Sequence, residues 1–163
     1  MARIVLLSCT KAKLDKPSAA QDLYSPSPMF QKTKKYGESL KPNKTYILSA
    51  KHHLVPMDKK LAPYDLTLKD MSKDEKEVWA KKVISQMTKV GINPKKDTFI
   101  FLAGSEYIKP LIKYIPEGNI EKPMEGKRMG ERLQWLNSQI KEAFIKLKSL
   151  IHEIYRSYRA LYR

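Results

Sequence analysis

Residues 44–65 read Lys-Thr-Tyr-Ile-Leu-Ser-Ala-Lys-His-His-Leu-Val-Pro-Met-Asp-Lys-Lys-Leu-Ala-Pro-Tyr-Asp and hold the densest run of chemically active side chains in the sequence. The apolar residues 45–48 predict a buried strand, so Ser49, Lys51 and His52 would lie where that strand ends. Open parallel sheets bind their ligands at such strand ends. We therefore interpret this stretch as half of a binding or active site.

The second part of this stretch is a loop punctuated by proline. Pro63 fixes its own φ and so restricts the directions of the two side chains that follow, Tyr64 and Asp65. His52 and His53 point in different directions on any regular backbone, so at most one of them is expected to serve the site. Since the only other histidine is His152, we predict no metal site.

Two further apolar runs predict buried parallel strands, at residues 3–7 and 97–103. The first continues into the loop 8–13, and the second into Gly104 and Ser105, where a helix is expected to begin. Because parallel strands bring their carboxyl ends to one edge of a sheet, these segments should converge on Ser49 and its neighbours. The pattern indicates an α/β domain with one site at that edge.

The loop 8–13, Ser-Cys-Thr-Lys-Ala-Lys, is suited to an anion because it combines small hydroxyl side chains with lysines and free backbone N–H groups. We predict substrate contacts from Ser8, Cys9, Thr10 and Lys11, and a nucleic-acid contact from Lys13. Cys9 is either a nucleophile or a small packing residue, and an apolar neighbourhood would favour packing.

The chain has 163 residues and a formal net charge of +15, with 32 Lys and Arg against 17 Asp and Glu. The length fits one compact core, and the charge predicts a polyanionic partner. A single cysteine excludes an internal disulfide and no membrane span is visible, so we expect a cytoplasmic protein. Nothing in the composition calls for a cofactor.

Residues 123–130 form a loop rich in glycine and basic residues, which predicts nucleic-acid contacts from Lys127 and Arg128. Met124 or Met129 could insert into a base stack from such a loop. An ordinary mobile surface loop is the alternative.

The last part of the chain is predicted to be helical from about Glu131, with a heptad-like apolar stripe from Leu133 to Leu161. This stripe is longer than one small domain needs. Either the helix breaks near Lys148 and folds back, or its second half pairs with another chain as a homodimer. We divide the chain into a domain at 1–137 and a helical extension of the same domain at 138–163.

Several motifs together resemble a family found in bacteria, archaea and phages, over about residues 3–137. The family's central motif is Leu-Ser-Ala-Lys-His-Gly-Leu-Val, which this chain matches at 48–55 except that His53 stands in place of the glycine. That family is related to the YaaA-type peroxide-stress proteins and is similar in architecture to the uracil-DNA glycosylase fold. The other matching motifs are Ser-Cys-Thr-Lys at 8–11, Leu-Tyr at 23–24, Ala-Pro-Tyr-Asp at 62–65, and Gly130 before Leu-Gln-Trp-Leu at 133–136.

The resemblance implies a three-layer α/β/α fold with a short, mainly parallel sheet that acts on nucleobases, followed here by the long helix. For cleavage of an N-glycosidic bond, Asp65 or Asp15 would position water, His52 or Lys51 would stabilise the leaving base, and Tyr64 would stack on it. The remaining substrate contacts would come from Ser8, Cys9, Thr10, Lys11, Ser49, Gly104 and Ser105.

The resulting hypothesis is a DNA glycosylase for a modified or damaged base, in DNA repair or phage defence, with DNA favoured over RNA. One alternative is a stress-protective protein that binds DNA or RNA without catalysis. The other is a hydrolase or transferase of soluble nucleotides, which a small strand-end pocket would also allow.

Overall fold

A computed structural model describes residues 1–161. Within them, five strands form the central sheet, two short strands form a separate ribbon, and five helices complete the fold. The elements are β1 (Arg3–Ser8), β2 (Ser18–Ala19), α1 (Ala20–Leu23), α2 (Pro28–Ser39), β3 (Lys44–Ser49), β4 (His53–Pro56), β5 (Lys60–Leu61), α3 (Lys73–Lys89), β6 (Thr98–Leu102), α4 (Ser105–Ile112), β7 (Ile120–Glu121) and α5 (Met129–Leu161).

The central sheet is mostly parallel, in the order β4-β3-β1-β6-β7. Its four parallel strands, numbered along the chain, run 2-1-3-4, which is a doubly wound arrangement. The three buried strands predicted from their apolar runs are confirmed. β4 was not predicted, because the segment that follows Ser49 turns back at 51–52 and pairs antiparallel with β3.

Helices cover both faces of this sheet, because its central strand is apolar on both sides. Ile4 and Leu6 of β1 pack with α3 and α4, whereas Val5 and Leu7 pack with α1, α2 and the start of α5. The expected mixed α/β architecture with a C-terminal helix is confirmed at this level.

Local sequence signals set the ends of two covering helices. Ser72 and Glu75 form the predicted capping box at the start of α3. Ser27 caps α2, with Pro28 in its first turn. On the sheet-facing side of α2, a Cβ atom added to Gly37 would lie 2.9 Å from Val5 Cγ1, so the glycine allows close helix–sheet packing.

α5 is one unbroken helix of 33 residues. Of the two alternatives for the long apolar stripe, a break near Lys148 is therefore wrong. Leu136 in its first part is fully buried, whereas every residue from Phe144 to Leu161 is exposed. Residues 162 and 163 of the predicted extension lie outside the described residues. No helix within residues 1–161 is long and apolar enough to cross a membrane.

Candidate functional site

Three parallel strands end side by side at one edge of the sheet. Ser8 at the end of β1 pairs with Leu48 of β3, and Leu7 pairs with Leu102 of β6. The backbone N–H of Cys9 donates to the Leu48 carbonyl at 2.9 Å, which extends the β1–β3 pairing past the strand end. The predicted convergence of these strand ends is therefore confirmed, and the side chains that follow them define the candidate site.

Tyr64 is the centre of this site. Its hydroxyl lies 2.7 Å from Ser49 Oγ and 2.8 Å from the Tyr24 hydroxyl. Ser49 Oγ also accepts hydrogen bonds from the backbone N–H groups of Lys51 and His52, at 3.2 and 2.9 Å. Because those two bonds use both lone pairs of Ser49 Oγ, its proton goes to Tyr64, and Tyr64 in turn donates to Tyr24.

The hydrogen-bonded pair of Tyr24 and Tyr64 stays protonated at neutral pH. Burial raises the pKa of Tyr24 to about 12, against the effect of its hydrogen bond with Tyr64. Burial raises the pKa of Tyr64 even further, and nearby Cys9 and Tyr24 add to the effect. Both hydroxyls therefore act as neutral hydrogen-bonding groups that hold the Tyr64 ring in place.

A second contact joins the ends of β1 and β6. Cys9 Sγ lies 3.1 Å from the hydroxyl of Tyr107 in α4, and Cys9 is only 7% exposed. The Tyr107 ring meets Trp79 edge-on, with 5.8 Å between centroids, and Trp79 Nε1 donates to the Ser49 carbonyl at 2.8 Å. Burial raises the pKa of the Tyr107 hydroxyl, an effect that Cys9 strengthens. Cys9 is thus packed at the base of the site.

Lys13 points into the site. Its Nζ lies 4.4 Å from the centroid of the Tyr64 ring and 5.8 Å from that of Tyr24, within the range of a cation–π contact. The same Nζ donates to the Thr10 carbonyl at 2.9 Å. Burial lowers the pKa of Lys13, while Cys9 and Asp65 act in the opposite direction. The Lys13 side chain thus points towards the Tyr64 ring, although it was predicted to contact nucleic acid.

His52 borders the Tyr64 ring on another side. The two rings meet edge-on with 5.3 Å between centroids, and Lys51 Nζ lies 5.9 Å from the Tyr64 centroid. Burial, together with Lys51 and Lys59, lowers the pKa of His52, so its imidazole is neutral at pH 7. A neutral imidazole can donate one hydrogen bond and accept another.

His53 has a left-handed backbone, with φ of 64°. This is the conformation that the glycine of the resembling motif would adopt without steric cost. The turn into β4 depends on this backbone, because His53 pairs with Ser49 at the start of the hairpin. With histidine at this position the turn still forms, but its left-handed backbone lowers the free energy of unfolding.

The two predicted water-positioning carboxylates lie in different surroundings. Asp65 is exposed, and its charge opposes the lowering of the Lys13 pKa that burial causes. Asp15 is exposed, and within residues 1–161 it forms no hydrogen bond or ion pair with this group of side chains. The geometry favours Asp65 for this role.

The predicted anion-binding residues divide between two places. The loop of Ser8, Thr10 and Lys11 stays near Lys13, and Thr10 Oγ1 donates to the Ala12 carbonyl at 3.1 Å. Ser105, which follows Gly104 at the start of α4, instead lines a cavity of about 210 Å³. This cavity has a partly apolar wall and three basic residues, Lys109, Lys122 and Arg132, around it.

The predicted insertion of Met124 into a base stack is wrong. Met124 is only 3% exposed and packs with the core beneath α5, because the loop around it folds onto the sheet edge. Arg128 is exposed, and the Lys127 Nζ lies 5.5 Å from the centroid of the Trp135 ring. These two residues stay possible phosphate contacts.

We define the Tyr64 cluster as Tyr64, Tyr24, Ser49, Lys13, His52 and Asp65. Four of these residues are among the catalytic or substrate-binding residues predicted from the sequence. Lys13 was predicted as a nucleic-acid contact, and Tyr24 had no predicted role. The Leu-Tyr motif at 23–24 was the only available signal for Tyr24. Within residues 1–161, no three His, Cys, Asp or Glu side chains are grouped to hold a metal ion.

Comparison with known proteins gives a family but no characterised relative. No curated protein and no solved structure matches the sequence. A family model matches residues 4–138, which include the central sheet, the Tyr64 cluster and the start of α5. The chain therefore belongs to DUF6884, a family of unknown function.

Proposed function

We propose that this protein binds nucleic acid and hydrolyses the N-glycosidic bond of a modified or damaged DNA base at the Tyr64 cluster. The observation that carries the proposal is the position of Lys13, whose Nζ lies 4.4 Å from the centroid of the Tyr64 ring and interacts electrostatically with the exposed carboxylate of Asp65. An aromatic ring, a cation, a neutral imidazole and a carboxylate then border one strand-end surface. These are the groups that base excision requires.

The reaction assigns each group a task. Asp65 orients a water molecule, whose oxygen bonds to C1′ of the sugar while the bond from C1′ to the base nitrogen breaks. The electron pair of that bond moves onto the base nitrogen. The water loses one proton as its oxygen bonds to C1′; the Asp65 carboxylate accepts this proton, which then passes through solvent to the base nitrogen. His52 donates a hydrogen bond to the departing base, and the positive charges of Lys13 and Lys51 stabilise the negative charge that develops there.

The target base must leave its stack to reach this edge. The Tyr64 ring, fixed by Tyr24 and Ser49, offers a rigid edge against which an extruded base packs. Ser8, Thr10 and Lys11 hold the flanking phosphate. The net charge of +15 supplies the attraction to the DNA backbone.

A uracil-DNA glycosylase-like fold is part of the same proposal. It is supported by the parallel order 2-1-3-4 with helices on both faces, and by a site at the carboxyl ends of the strands. Because one fold serves many reactions, the catalytic assignment depends on the Tyr64 cluster itself.

The test is incubation with duplex and single-stranded DNAs that carry different modified bases, followed by mass spectrometry of free base and abasic strand. We expect release of one class of base, abolished by Asp65→Asn and by His52→Ala, with folding checked by circular dichroism. Asp58→Asn is the matched control, because Asp58 is an exposed carboxylate on the turn after β4. Normal release by both site variants would refute the assignment.

A second candidate is nucleic-acid binding without catalysis, which the high positive charge favours independently of the site. It predicts affinity that falls steeply as salt rises, through counterion release, with no covalent change in the DNA. Intact DNA across the whole panel, together with salt-dependent binding, would select this candidate.

A further inference from the structure

The exposed half of α5 carries a narrow apolar seam with a seven-residue repeat. Its large apolar side chains are each at least 48% exposed. With heptad positions lettered a to g, Leu147, Ile154 and Leu161 occupy d, and Phe144, Ile151 and Tyr158 occupy a. Of the other exposed apolar residues, Leu150 and Tyr155 flank the seam at g and e, and Ile145 lies at the outer position b. A seam confined mainly to a and d is typical of a helix that packs against another helix.

The same seam continues into the folded domain, where α2 lies beside it and covers it in part: Ile140 is half-buried, whereas Asn137 stays exposed. At the preceding a and d positions, Asn137 Oδ1 accepts a hydrogen bond from Lys32 Nζ of α2, and Ile140 lines a surface cavity with Lys32 and Lys35. Leu136 beside them is fully buried. The two halves thus form one stripe, and α2 lies beside only the first.

We propose that residues 144–161 of two copies of this chain pair as an antiparallel coiled coil. This inference is independent of the proposed catalytic function. In an antiparallel pair each a residue meets a d residue, so Phe144 packs on Leu161 of the second copy, Leu147 on Tyr158, and Ile151 on Ile154. The stretch therefore matches itself over six successive layers.

The fold excludes the parallel arrangement. A parallel partner would place its own Asn137 and Ile140 beside the same residues of the first copy, where α2 already lies. In the antiparallel arrangement the partner covers only 144–161, and the two domains lie at opposite ends of the pair. Only this orientation leaves α2 in place.

The charges of the helix are compatible with a second copy. Of its charged residues in this stretch, only Lys148 flanks the seam, and the antiparallel register places it beside Tyr155 of the partner, not beside another cation. The others, Lys146, Glu153, Arg156 and Arg159, occupy the outer positions b, c and f. Pairing therefore buries the apolar seam and leaves the basic outer face in water.

Sedimentation of the full chain over a wide range of concentration tests the pairing. We expect a reversible dimer that Ile151→Glu weakens more than about tenfold, because a carboxylate would be buried in the seam without a partner. Ser149→Glu introduces the same group at the outer position f and should leave the dimer intact. A monomer throughout, or a dimer unaffected by Ile151→Glu, would overturn the proposal.

Disulfide trapping tests the orientation. When Phe144→Cys and Leu161→Cys chains are mixed and oxidised, we expect a disulfide between residues 144 and 161, identified by peptide mapping. Two copies of residue 144 lie about 25 Å apart in the antiparallel pair, so a 144–144 disulfide would contradict it. If the protein is instead a monomer that binds anionic vesicles through the same seam, the pairing proposal is overturned, and the partner of the seam is a membrane surface.

Discussion

Tyr64 and Ser49 are joined by a hydrogen bond of 2.7 Å between their hydroxyl groups. Ser49 is the last residue of β3, and Tyr64 belongs to the loop that follows the hairpin of β3 and β4. The bond therefore fixes that loop on the strand end. Since Ser49 Oγ also accepts from two backbone N–H groups, one buried hydroxyl holds both the turn at 51–52 and the Tyr64 ring.

Ser49→Ala should destabilise the protein by about 1–3 kcal/mol. The change removes the acceptor of two backbone N–H groups and the donor to Tyr64, and buried polar groups that lose a partner carry that cost. Urea unfolding measures it. Ser85→Ala, on the exposed side of α3, removes a hydroxyl without these bonds and should leave stability nearly unchanged. Equal midpoints for both variants would contradict the network.

Stability should fall as the pH is lowered from about 6.5 towards 5. The pKa values of His52 and His53 are both lowered, mainly by burial, so below the unfolded value of about 6.5 the unfolded chain binds more protons than the folded one. The free energy of unfolding must then decrease with falling pH, and the loss is complete below the folded pKa values. Urea unfolding at several pH values measures the slope.

The double variant His52→Gln and His53→Gln separates this effect from other titrations. It should flatten the slope between pH 6.5 and 5. The carboxylates with lowered pKa values, such as Asp97 and Glu106, lose stabilising interactions only at more acidic pH, so they should be unaffected by the change. A slope that persists in the double variant would assign it to other groups.

Much of the fold could be predicted because its signals are local. Continuous apolar runs identified the three central strands, and Ser72 with Glu75 identified the start of α3. β4 was missed because its pairing depends on a turn in which His53, a non-glycine residue, takes a positive φ. Sequence patterns assign such conformations to glycine.

The site was predictable only as a set of strand ends. The order of a parallel sheet brings those ends together whatever their side chains are, which is why Ser49 and His52 could be grouped with the loop 8–13 in advance. The inward direction of Lys13 and the burial of Met124 depend on how long side chains and loops pack. Neither feature can be predicted from the spacing of residues in the sequence.

Gly37→Ala should destabilise the protein although alanine favours helix. A Cβ atom at this position would lie 2.9 Å from Cγ1 of the fully buried Val5 and 3.4 Å from Leu102 Cδ1. Forcing an extra methyl into a packed core costs about 1–3 kcal/mol, which exceeds the gain of at most ~1 kcal/mol in helix propensity. Thermal unfolding of the variant shows whether its stability falls, as we expect, or rises.

Gly130→Ala is the matched control for this change. Gly130 also lies in a helix, α5, but nothing is within 4 Å of its added Cβ atom, so only the propensity gain applies. We expect it to raise stability while Gly37→Ala lowers it. Equal shifts of the same sign would mean that α2 moves away from the sheet without cost.

His53→Gly should maintain or raise stability, by up to about 1 kcal/mol. The left-handed backbone at φ of 64° costs a non-glycine residue about 1–2 kcal/mol, and glycine returns roughly half of that through its larger entropy in the unfolded chain. His53→Val tests the same backbone conformation with the opposite expected effect, because a β-branched residue tolerates positive φ worst and should lower stability. Urea unfolding of the three proteins should rank them glycine, histidine, valine. If valine instead matched histidine, the turn would relax without strain at this position.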